Sequence, residues 1–351
     1  MRKIKKGSAI LLAAALVFSA LALPKAYAAG PIETEKADCK ITVNVANSKY
    51  ADGSPVFSEL PKLEIPVKLY KVANVDVSGD FTGITPFDDV NFTGISIDED
   101  EEDVAAHWEA LSTEAAGIVD ENTGLTSITG NTSNGTVEFT GLTTGLYLVY
   151  AQVTESTNYE YHFKPYLISL PGNNYDPETE GSSDDWVYTA SVGLKPEKLD
   201  RYGDLKIIKN LDTYNETIDG ATFVFKVEAT KTDVDTKKPK VVYSNVVAID
   251  FNAPGEKFVL IEDIPAGADV TVTEIYTGAS YKLTSDAVKT TVIIADGEEG
   301  APATVDFSNT YDYHLNGGNG VVNSFIYNQD AAGNVTWTHS AMSDSTEAQP
   351  R

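Results

Sequence analysis

The chain has 351 residues, 52 acidic against 26 basic, for a net charge of −26. A surface that acidic repels the phosphates of nucleic acid and of anionic lipid, so neither is expected as a partner. The single cysteine, Cys39, excludes an intrachain disulfide, and four histidines without cysteine partners offer no metal-site spacing, so neither metal nor cofactor is expected.

Residues 1–28 read as an export signal. Arg2, Lys3, Lys5 and Lys6 precede an apolar run over 9–23, Pro24 breaks any helix, and Ala26-Tyr27-Ala28 offers the small residues that a signal peptidase accepts. The apolar run is shorter than the roughly 20 residues of a membrane span, so no span is expected after cleavage. The protein is expected to be secreted and to work at the bacterial surface.

Short runs rich in Val, Ile, Thr, Tyr and Phe follow, separated by Gly, Asn, Asp and Pro, which is the pattern of β-sandwiches. Strands are expected over 41–45, 63–72, 136–139, 145–150 and 166–170. Between them, Val104, His107, Trp108 and Leu111 fall at helical spacing and predict a short helix over 103–118. The acid run 98–103 reads as a solvated loop. Residues 188–194 read as the last strand of a first domain, and Lys195-Pro196-Glu197-Lys198 as a linker, since Pro and charge rarely interrupt a core strand.

A second series opens at 204 and continues through 222–227, 241–249, 258–262, 270–276, 290–294 and 303–311, enough strands for a small sandwich. Beyond 313 the chain turns to Gly and Asn, then to a candidate hairpin, 321–327 with 335–339. The fold class is therefore all-β, two Ig-like sandwiches in tandem with a short helix in the first. The domains are expected over 33–198 and 201–313, with an extension over 314–351.

Side chains alternate faces along a strand, so residues two apart share a face. Leu205, Ile207 and Lys209 share one parity, as do Val270, Val272 and Glu274, and Val305, Phe307 and Asn309. A lysine, a carboxyl and an amide thus each follow two core-facing apolar residues. Buried singly, each costs several kcal/mol unless paired; together they make one compensated cluster. Burial lowers the pKa of a lysine and raises that of a carboxylic acid, so a neutral Lys209 can attack the Asn309 amide while protonated Glu274 polarises it. The alternative is that the three residues end their strands and reach water. Lys71 shares parity with Ile65, Val67 and Leu69, and with no evident carboxyl and Asn partners it reads as a core-edge lysine.

Three segments of this second series carry a resemblance. Gly203 to Lys209 resembles the opening strand of the collagen-adhesin B-type (CNA-B) domains of Gram-positive pilins. Asp263-Ile264-Pro265-Ala266-Gly267 with Val270 to Glu274 resembles their central signature, and Phe307-Ser308-Asn309-Thr310-Tyr311 their closing strand. The resemblance implies an isopeptide bond between Lys209 and Asn309 with Glu274 as its catalyst. In the first domain, Val67 to Asp76, Phe139 to Leu142 with Gly145 to Val149, and Lys164 to Pro171 are similar to the N-terminal domain of the same pilins. Lys195, nine positions after Trp186, stands where those pilins carry the lysine that a sortase joins to the next subunit. Gly193-Leu194 departs from their motif, and an ordinary linker lysine is the alternative.

The resemblance implies a structural fimbrial subunit, not an enzyme beyond one self-directed turnover, whose partners are other pilin subunits joined through a sortase. His314-Leu315-Asn316-Gly317-Gly318 stands where a shaft pilin carries Leu-Pro-x-Thr-Gly, so processing as a sortase donor is not expected. A second class is an adhesin or tip-type module that binds a host or matrix ligand through the loops 81–103 and 172–185. A hydrolase is the weakest class, because His107, His162, His314 and His339 have no recognisable nucleophile partner.

Overall fold

The structure, a computed structural model, describes residues 30–45, 57–92, 101–173, 185–217, 219–233, 236–314, 322–329 and 335–342. The expected export signal over 1–28 and parts of the loops 81–103 and 172–185 lie outside these residues. The chain divides into two compact units, with the main-chain division between Leu199 and Asp200. Strands dominate both, and among the described residues one α-helix, Glu101–Glu121, is present. The all-β tandem architecture is borne out.

In the first unit a sheet carries Phe81–Gly83, Pro66–Val75, Gly145–Ala151 and Tyr166–Leu170 in that order, with Ile128–Asn131 also on Pro66–Val75. The helix covers it. Trp108, Leu111, Ala115 and Val119 recur three and four residues apart, so one helix face is apolar, and they share a core with Val72, Leu146, Leu148 and Leu167. The helix outruns the expected 103–118 at both ends, and Asn122 ends it by donating from Nδ2 to the Ile118 carbonyl at 2.8 Å. Lys71 keeps the parity of Val67 and Leu69 and is half-buried at the edge of the core, its amine 3.1 Å from Thr143 Oγ1, and the strand shifts register only beyond it.

Two smaller sheets complete the unit. Cys39–Asn44 lies between Thr189–Gly193, to which it runs parallel, and Thr136–Leu142, antiparallel. Lys195–Asp200 forms the edge of a sheet with Tyr159–Lys164 and Thr154–Glu155. This corrects the linker reading of Lys195 to Lys198. At a sheet edge Pro keeps one side of the strand free of ladder bonds, and Pro196 and Lys198 alternate as buried residues with half-buried neighbours. The last strand of the first unit is therefore this one, not 188–194.

The second unit is a sandwich of two four-stranded sheets. One carries Gly255–Pro265, Tyr202–Leu211, Ala303–Tyr311 and Tyr281–Leu283 in that order; the other carries Pro239–Phe251, Ala221–Thr232, Asp269–Tyr276 and Val288–Val292. Every run expected from the sequence is a strand, and Tyr281–Leu283 is an addition. The core between the sheets is built from alternate residues, among them Leu205, Ile207, Phe223, Phe225, Val270, Val272 and Phe307. Tyr202–Leu211 opens the unit and Ala303–Tyr311 closes it, and the two are parallel neighbours. Val322–Gln329 and Val335–Met342 follow as an antiparallel hairpin, longer than the expected 321–327 with 335–339.

Candidate functional site

The alternation that builds the sandwich core also delivers three polar groups into it. Along Tyr202–Leu211, Leu205, Ile207, Lys209 and Leu211 point inward. Lys209 and Asn309 are 0% exposed and Glu274 is 5% exposed, so none ends its strand in water. Lys209 and Asn309 come from the parallel opening and closing strands, in a register that pairs Lys209 with Phe307 and Leu211 with Asn309. Glu274 comes from the facing sheet, one step beyond Val272 on Asp269–Tyr276.

The three groups touch pairwise. Lys209 Nζ donates to Glu274 Oε2 at 2.7 Å and to Asn309 Oδ1 at 2.5 Å. Asn309 Nδ2 donates to Glu274 Oε1 at 2.6 Å and to the Thr277 carbonyl at 3.4 Å. The carboxyl thus spans the amine and the amide, one oxygen to each. A C=O bond is about 1.23 Å long, which puts the Asn309 carbonyl carbon within about 3.7 Å of the lysine nitrogen. Reacting atoms held at roughly that distance form a near-attack arrangement.

The surroundings decide the protonation. Two rings line the lysine, with its amine 4.7 Å from the Phe223 centroid and 5.7 Å from that of Phe225. Phe225 packs in turn on Phe307, centroids 5.0 Å apart. Burial among these groups lowers the Lys209 pKa, opposed by the hydrogen bond and charge of Glu274. Burial likewise raises that of Glu274, opposed by Lys209 and then by the Asn309 hydrogen bond. Both shifts favour the neutral pair, a free amine beside a protonated acid.

Phe223 and Phe225 carry no chemical group to mark them, and the sequence places them only within the strand expected over 222–227. The Thr277 carbonyl is a backbone group that no side-chain pattern reveals. Lys195 lies in the first unit, on the edge strand. It is half-buried, its amine sits 5.9 Å from the Tyr166 ring centroid, and burial lowers its pKa against the charge of Glu109. Glu109 itself accepts from Lys164 Nζ at 2.6 Å. Of the histidines, His162 meets Glu160 and His314 meets Asp312, while the His339 side chain lies outside those described. Among the described residues no group of three or more His, Cys, Asp and Glu is placed to hold a metal, and no helix is long and apolar enough to cross a membrane.

Residues 205–312 match the model of a domain of unknown function, DUF5979. No curated protein matches the sequence. Among solved structures, GBS52, the minor pilin of Streptococcus agalactiae, is 13% identical over 78% of this chain and 96% of its own, with a TM-score of 0.22. The major pilins SpaA and SpaD of Corynebacterium diphtheriae are 11% and 12% identical, covering 78% and 80% of this chain and 100% and 99% of theirs, with TM-scores of 0.23 and 0.24. At scores this low the whole-chain superposition is loose, and no role is drawn from it.

Proposed function

We propose that this protein is a structural subunit of a bacterial surface fibre, a fimbrial or pilus subunit, whose second unit is locked by an isopeptide bond between Lys209 and Asn309. The observation that carries this reading is the buried contact of amine, carboxyl and amide. Neutral Lys209 Nζ attacks Asn309 Cγ, the C–Nδ2 bond breaks, and Glu274 relays a proton from the attacking nitrogen to the departing one. One amide replaces another, ammonia leaves, and Glu274 returns unchanged. No external cofactor is needed, and the single turnover makes the protein a product of its own chemistry, not an enzyme.

The placement of the bond supports the fibre role. It joins the first strand of the unit to the last across 100 residues of sequence, so tension that enters one end leaves at the other without unravelling the strands between. Lys195, half-buried on an edge strand and lowered by burial, is the lysine through which a sortase would join this subunit to another. Extracts of surface protein from the producing cells should contain this chain in species of high mass that survive boiling in detergent. Lys195→Arg should collapse them to the monomer. Polymers that persist in that variant would remove Lys195 from the assembly, and a wild-type chain found only as free monomer would remove the fibre role.

A further inference from the structure

The first unit sets its opening strand in parallel beside Thr189–Gly193, one strand short of its exit, as the second unit sets its opening strand beside its closing one. Cys39–Asn44 pairs with Thr189–Gly193 in the register Lys40 with Thr189 through Asn44 with Gly193. The main chain enters this pair at Cys39 and leaves it at Gly193, the opposite ends of a parallel ladder. Pulling on those ends slides one strand along the other and strains the evenly spaced bonds together, not one after another.

The pair is well fastened. Lys40 N donates to the Tyr188 carbonyl at 3.1 Å and Leu194 N to the Asn44 carbonyl at 2.7 Å. Asn44 Nδ2 adds a side-chain bond to Ser191 Oγ at 2.9 Å. Thr136–Leu142 holds the far side of the entering strand, and Cys39, Ile41 and Val43 are fully buried. Lys195–Asp200, next along the chain, and Thr189–Gly193 both lie at a sheet edge; the pair is the stop because its parallel ladder is loaded in shear, all bonds together, and its entering strand is held on both sides. Its fastenings are nonetheless all non-covalent. Lys40, the lysine of the pair, is bonded at the surface to Glu138 at 2.8 Å.

We propose that the first unit is the yielding element of the chain under tension: a shear-loaded clamp that opens as a whole while the covalently locked second unit stays closed. That tension reaches the chain rests on the fibre reading above; the clamp does not. A chain built this way absorbs a pull by lengthening at one known place, and the clamp can re-form when the load falls.

The test is single-molecule force spectroscopy on the whole chain held by its two ends. The variant carries Thr42→Cys and Ser191→Cys, which are register partners, with Cys39→Ser to prevent mispairing. Besides the short lengthening as the hairpin 322–342 peels, the parent should show one large opening, of about 500 Å at roughly 3.5 Å for each residue between the two strands. The oxidised variant should lose that opening and regain it in reductant, which also shows that the variant folds. An opening of another length, or one that survives the disulfide, would overturn the proposal. Failure of the lysine–asparagine lock would appear separately, as a further opening of about 350 Å from the second unit, and would leave the clamp standing.

Discussion

At Lys209 two forces oppose each other: burial strips water from the ammonium and lowers its pKa, while Glu274 stabilises the charge. Glu274 feels the mirror image, raised by burial and held back by the lysine. The lysine is therefore neutral down to a lower pH than usual, and the acid stays protonated up to a higher one. Bond formation needs both at once. Its rate during refolding should be bell-shaped in pH, falling at low pH as Lys209 gains a proton and at high pH as Glu274 loses one. A mass-spectrometric time course checks this, and a rate that climbs steadily with pH would remove Glu274 as an acid. Proximity alone does not select the reaction. Lys231 Nζ lies 2.5 Å from Asp200 Oδ1, yet that carboxyl is 37% exposed and open to water, unlike the dry surroundings of Lys209 and Asn309. No loss of water is expected there. This scale was the most legible, because strict two-residue alternation puts Lys209, Glu274 and Asn309 inward from sequence alone. The contacts between them were not, since they depend on which strands become neighbours.

The elements were legible where alternation is clean and less so where a strand breaks its own pattern. Lys195 to Lys198 reads as a linker because Pro196 and three charges crowd it; an edge position and burial of Pro196 and Lys198 make it part of a strand. Pro66–Val75 shifts register just after Lys71, so that Val72 and Ala73 are both buried in succession. Tyr281–Leu283 is too short to announce itself beside Gly278 and Pro-free turns. Gly203 shows a constraint of the same kind. It precedes a register shift in the opening strand, and a Cβ there would lie 1.8 Å from the Ile294 carbonyl oxygen. That neighbour is backbone and cannot rotate away. Gly203→Ala should destabilise the second unit by about 1–3 kcal/mol, the usual cost of overpacking, measured by chemical denaturation. An unchanged midpoint would show that the strand has slack at this point.

At the scale of the whole molecule, an acidic chain with one cysteine packs the cores of both its units without disulfides. The main chain passes from one unit to the other between Leu199 and Asp200, at a strand and not at a linker. What the sequence conceals is that each unit sets its opening strand in parallel beside a late one, the last strand in the second unit and the last but one in the first, since strand neighbours are set by topology and not by local pattern. A covalent link across one such pair removes unfolded-chain entropy. By the loop-closure model used for disulfides, a loop of about 100 residues contributes on the order of 4–5 kcal/mol. Glu274→Gln keeps the shape of the side chain and its amide contacts but loses the exchangeable acid proton, so it should lose that stabilisation along with the bond. The most direct measurement is the intact mass of the folded protein beside that of Glu274→Gln. The account predicts that the wild type falls short of its sequence mass by one ammonia, with Lys209 and Asn309 recovered in a single branched peptide, and that the variant does not. A wild-type mass equal to that of the sequence would contradict it.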